Sequence, residues 1–97
     1  CPITKTAEVL GGKWSLPIIF SLIKETKRFK ELERQIEGIN TRMLVKELKQ
    51  LENNGIVVRK VYPEIPPKVE YSLTEKGRAL KNVLIEMRNW GNEYITK

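Results

Sequence analysis

Three cations stand at helical spacing near the middle of the chain: Arg42, Lys46 and Lys49. At about 100° per residue they share one side of a helix running from Asn40 to Asn53. Leu44, Leu48 and Leu51 fall within about 60° of one another on the opposite side and must face a core. A row of cations held this way binds polyanions. Arginine also matches guanine O6 and N7 through a bidentate fork, whereas lysine acts as a point charge toward phosphate or base edges. Asn40 and Thr41 open the same helix. Asn40 either caps it, its side-chain oxygen accepting a first-turn N–H, or turns outward to pair with adenine. Arg59, Lys60 and Lys68 follow, flanking the tip Pro63-Glu64-Ile65-Pro66-Pro67.

These residues need a scaffold, and the spacing of apolar side chains predicts one. Ile3, Ala7 and Leu10 mark a first helix ending at Gly11-Gly12, with Pro2 at a position where its missing N–H costs nothing. Trp14, Ile18, Ile19 and Leu22 mark a second, to about Lys24, with Pro17 near its start. Thr26-Lys27-Arg28 reads as a connector. Phe29, Leu32 and Ile36 give a short third helix stopped by Gly38, and Asn54-Gly55 supplies a left-handed exit from the fourth. Ile56–Tyr62 and Lys68–Leu73 alternate as half-buried strands. Thr74 caps a long final helix with the stripe Leu80, Val83, Leu84, Met87, Trp90 and Tyr94. Two short helices joined through Glu37-Gly38-Ile39 have helix-turn-helix proportions. A charged amphipathic helix would be unremarkable alone; followed at once by a hairpin, it predicts a recognition helix at about 40–54 and a wing at about 56–73, both aimed at double-stranded DNA.

Charge distribution agrees. The net charge is +6, and residues 24–60 hold ten Lys/Arg against six Glu, so +4 of it lies on the predicted DNA-contacting elements. With no histidine and one cysteine, zinc-finger ligand sets, Cys/His nucleophile pairs and internal disulfides are excluded. No metal site or cofactor is indicated, no small-molecule pocket is obvious although a dimer interface could form one, and the scattered carboxylates suggest no enzyme. Gly11-Gly12-Lys13 lacks the upstream glycine and following hydroxyl of a phosphate loop. The PxxP match at the tip is accidental between strands. No apolar run approaches membrane length, and a lone cysteine without an export signal predicts the reducing cytoplasm. The chain opens on Cys1 instead of methionine, which suggests that a short N-terminal piece lies outside it. At 97 residues, a single domain is expected.

The two ends carry separate signals. Cys1, at an N-cap position before Pro2, lies where the helix dipole favours the thiolate, which makes it a candidate for thiol-based sensing. An inert small residue is the alternative. Met87, Trp90, Tyr94 and Ile95 extend past what one small core covers, so with Ile3 of the first helix they are expected to form a homodimer interface.

The chain closely resembles the HxlR-type winged helix-turn-helix transcription regulators of the wider MarR-like group. The markers are Cys1-Pro2, Gly11-Gly12-Lys13-Trp14, Arg28-Phe29-Lys30-Glu31-Leu32, Gly38-Ile39 with Arg42-Met43-Leu44, Leu48 through Glu52, and Tyr62-Pro63-Glu64 onward through Pro66 to Thr74 with Gly77. The resemblance implies an α+β, mostly α, winged helix-turn-helix fold with a two-stranded hairpin wing and terminal dimerisation helices. It further implies a cytoplasmic homodimer on operator DNA, and a redox role for Cys1 as in some relatives. A winged helix that binds proteins instead of operators is the alternative to be separated by experiment.

Overall fold

The computed structural model describes residues 1–96. Among them the element order is α1 (Pro2–Leu10), α2 (Ser15–Lys24), β1 (Lys27–Arg28), α3 (Phe29–Gln35), α4 (Thr41–Asn53), β2 (Val57–Tyr62), β3 (Lys68–Leu73), α5 (Glu75–Arg78) and α6 (Lys81–Tyr94). Pro17 is the third residue of α2, ahead of the first intrahelical donor, Ile18, whose N–H reaches the Trp14 carbonyl at 3.2 Å. It therefore costs that helix no hydrogen bond.

Two expectations need correction. The predicted connector at 26–28 contains a strand: Lys27 pairs with Tyr71 and Arg28 with Glu70, giving an antiparallel three-stranded sheet in the order β1-β3-β2. The wing hairpin itself is as expected, in register from Val57 opposite Leu73 to Tyr62 opposite Lys68. The single long final helix is in fact two. Thr74 does cap, accepting from the Gly77 N–H at 3.0 Å, but the helix it starts is only α5. The Leu80 N–H closes a tight turn onto the Gly77 carbonyl at 3.1 Å, and α6 starts afresh.

The core gathers Ile18 and Ile19 of α2, Leu32 of α3, Leu44, Leu48 and Leu51 of α4, and Ile56 before β2. Trp14 closes one side of this core, its ring against Gly38 of the turn between α3 and α4, where an added Cβ would stand 3.4 Å from it. Each buried leucine contributes about 1.5–3 kcal/mol, against about 1 kcal/mol for a good N-cap. Core packing therefore sets the roll of α4 about its axis, and the cap fixes only where it begins. No helix among the described residues is long and apolar enough to cross a membrane.

Candidate nucleic-acid interface

With its leucines buried, α4 turns Arg42, Lys46, Lys49 and Asn53 outward, all exposed. Its start is tied down twice. Asn40 caps, its side-chain oxygen accepting from the Met43 N–H at 2.8 Å. That takes the capping alternative: a bidentate adenine contact needs the same amide oxygen. The Thr41 hydroxyl donates to Glu33 of α3, joining the two helices across the turn. Arg42 is thus the first fully outward polar side chain of α4 without such a bond in this structure.

The far end of α4 is closed by a Schellman arrangement. The Ile56 N–H reaches the Leu51 carbonyl at 2.9 Å and the Gly55 N–H reaches that of Glu52 at 3.0 Å, with Gly55 at φ +73°. Lys76 of α5 adds a cation there, its Nζ donating to the Asn54 carbonyl at 2.7 Å, favourable at the negative end of the helix dipole. Lys76 was not singled out from the sequence. Nothing local marks it, because it arrives from another element.

The wing separates the cations that the sequence reading grouped together. Arg59 lies on the face shared by Val57, Tyr71 and Leu73, which looks toward α4. It lines an open groove of about 620 Å³ together with Phe29, Val45, Lys49, Glu52 and Tyr71. Lys60 and Lys68 lie on the other face, both ammonium groups near the Tyr62 ring, 5.2 and 4.9 Å from its centroid. Lys68 is also half-buried and paired with Glu70 at 3.4 Å, so its charge is partly used within the wing. Strand alternation alone already puts residues 59 and 60 on opposite faces.

The terminal helices leave an apolar surface uncovered. Of the final-helix stripe only Leu84 is buried; Met87, Trp90 and Tyr94 are 47%, 58% and 70% exposed, and Ile3 80%. The Trp90 and Tyr94 rings meet at 5.4 Å between centroids, tilted by 44°. Pro2, Ile3, Ala7, Leu10, Leu16 and Met87 line one shallow trough between α1 and α6. Cys1 is exposed at the N-cap of α1 beside it and makes no capping hydrogen bond.

Comparison with known proteins agrees with this geometry. The profile described as HxlR-like helix-turn-helix matches residues 9–97. YdeP of Bacillus subtilis (strain 168), an uncharacterised HTH-type transcriptional regulator, is 45% identical over 94 residues, which is 97% of this chain and 73% of YdeP. Among solved structures, the redox regulator HypR in its oxidised form superposes with a TM-score of 0.89 at 46% identity, covering 96% of each chain. Diamide-treated YodB from B. subtilis gives a TM-score of 0.81 at 46% identity, covering 97% of this chain and 94% of YodB. With an outward cationic recognition helix, a wing beside it and these likenesses over nearly the whole length, the chain belongs to the HxlR-like helix-turn-helix family of DNA-binding transcription regulators, not to a family of enzymes.

Proposed function

We propose that this chain acts as a homodimer that reads operator DNA, its 97 residues forming one DNA-binding unit. Residues 41–53 enter the major groove, Arg42 reads a base edge, and Lys46, Lys49 and Arg59 hold backbone phosphates. Lys60 and Lys68 serve a second backbone or the adjacent minor groove. Asn40 and Thr41 hold the helix start at the DNA surface. The observation that carries this reading is the exposed Arg42–Lys46–Lys49 row, opposite buried leucines, with Arg59 across one open groove.

Salt dependence tests it. If about four phosphates are neutralised per subunit, log K falls against log salt with a slope near −7 for the dimer. A shallow slope contradicts groove binding and favours the protein-interaction reading. Arg42→Ala lowers discrimination by roughly 1–3 kcal/mol at one base position, while Lys60→Ala weakens all sequences alike.

Ile3, Met87, Trp90 and Tyr94 supply the pairing surface, which places two recognition helices on two half-sites. Cys1, exposed beside that surface, is the site proposed for thiol sensing in the reducing cytoplasm; the likeness to the redox regulator HypR supports it. Diamide is then expected to release wild-type protein from its operator and to leave Cys1→Ser bound. Equal release from both removes Cys1 from the mechanism.

A further inference from the structure

Of the side chains that α4 exposes (Thr41, Arg42, Val45, Lys46, Lys49, Gln50 and Asn53), only Val45 is apolar, and it is 42% exposed. It stands three residues after Arg42 and four before Lys49, so it lies about 60° and 40° from them around the helix axis. Neighbours at these spacings have Cβ atoms roughly 5–6 Å apart. Val45 therefore borders the cationic row beside Lys49, on the edge that faces the wing. There it lines the open groove with Phe29, Lys49, Glu52, Arg59 and Tyr71. The cations around it select a polyanion as the occupant of this surface. Glu52 lies in the same groove and offsets part of that charge, so the phosphates fall to Lys49 and Arg59 and the space at Val45 is left to a neutral group.

In the major groove, one group on the base edges is apolar: the C5 methyl of thymine. We propose that Val45 is a specificity-determining residue that packs against a thymine methyl, one helical turn from the base read by Arg42. The proposal rests on the reading of α4 as the major-groove helix. A polar side chain at this place would serve any base through water. A branched apolar one gains only where a methyl group covers it, and it leaves amino and carbonyl groups unpaired elsewhere.

The test uses synthetic duplexes of a genomic fragment selected by the purified protein, with each thymine in turn replaced by deoxyuridine. Affinities are measured by fluorescence anisotropy for wild type, Val45→Ala and the near-isosteric Val45→Thr. One uracil position per half-site is expected to weaken wild type roughly three- to five-fold, the equivalent of one methyl group buried. Val45→Ala is expected to lose a similar factor on the thymine duplex and to be indifferent to uracil at that position. Both variants keep the wild-type circular dichroism spectrum and the wild-type salt slope on random DNA, which the unchanged cations set; this excludes a folding defect. Tolerance of uracil at every position overturns the assignment, as does uracil sensitivity that survives in Val45→Ala. If no selected duplex binds in a salt-sensitive way, the groove-binding reading and the Val45 assignment fall together.

Discussion

Gly77 offers the most direct test of how the recognition helix is held. It is buried at the third position of α5, and its φ is one that any L-residue adopts. Backbone strain therefore plays no part, and alanine would even gain helix propensity of about 0.8–1 kcal/mol. The space is the obstacle. An added Cβ would enter the van der Waals shell of the Ile56 carbonyl oxygen, with the carbonyl carbon and the Leu73 Cδ2 both at 3.2 Å. That oxygen already accepts from the Thr74 N–H at 3.0 Å, while the Thr74 hydroxyl donates to the adjacent Gly55 carbonyl at 2.5 Å. It cannot retreat without loosening that backbone bond, worth about 0.5–1.5 kcal/mol. Adding about 1–3 kcal/mol for overpacking and subtracting the propensity gain leaves a net loss of about 0.5–3.5 kcal/mol. For a chain of this size that lowers Tm by about 3–18 °C. Thermal unfolding followed by circular dichroism at one fixed protomer concentration reads it, since pairing would itself shift Tm. Gly91→Ala in α6 is the contrast: beyond its chain neighbours and its own helix backbone, nothing among the described residues lies within 4 Å of its added Cβ. Measured at a dilution where subunits are apart, it should raise stability by about 0.5–1 kcal/mol. A Gly77→Ala protein that unfolds at or above the wild-type temperature would refute the reasoning.

Three further outcomes follow from the site. Asn40→Ala should lower the urea midpoint by the equivalent of about 1 kcal/mol while Asn40→Ser retains it, because the cap is what Asn40 supplies; equal losses would remove that role. Trp90→Ala should raise the dimer dissociation constant by about thirtyfold or more in sedimentation, the scale of an aromatic hot spot, with the protomer still folded; an unchanged constant would move the interface off α6. Arg59→Ala should reduce the salt slope of DNA binding by about one per subunit, and Lys68→Ala by less, since Glu70 already holds Lys68 at 3.4 Å. A larger effect at Lys68 would reverse the assignment of the wing faces.

What could be read from the sequence divides along a physical line. Features that one segment decides for itself were legible: the buried leucine stripe of α4, the Asn40 and Thr74 caps, the left-handed exit at Gly55, and the alternation of the hairpin. Features that depend on a distant partner were not. Lys27-Arg28 is too short to show a period and is a strand because β3 lies beside it. No proline or glycine marks the break at Ala79-Leu80. It follows from α5 being anchored to Ile56 while Leu84 of α6 must reach the core. At the site, the outward cations were correctly placed by helix geometry. The Thr41–Glu33 bond, the Lys68–Glu70 pair and Lys76 at the end of α4 required the tertiary structure.

The chain carries two tryptophans in opposite settings: Trp14 is 8% exposed against the turn before the recognition helix, and Trp90 is 58% exposed on the outer face of α6. Each is thus an optical reporter of a different event. Dilution that separates two subunits should redden the emission of Trp90 alone, whereas unfolding should redden both. A quencher in the solvent should reach Trp90 first. With Trp14→Phe and Trp90→Phe as single-reporter versions, the pairing proposed for α6 and the ordering of the helix-turn-helix can be timed independently in one cuvette, without any attached dye.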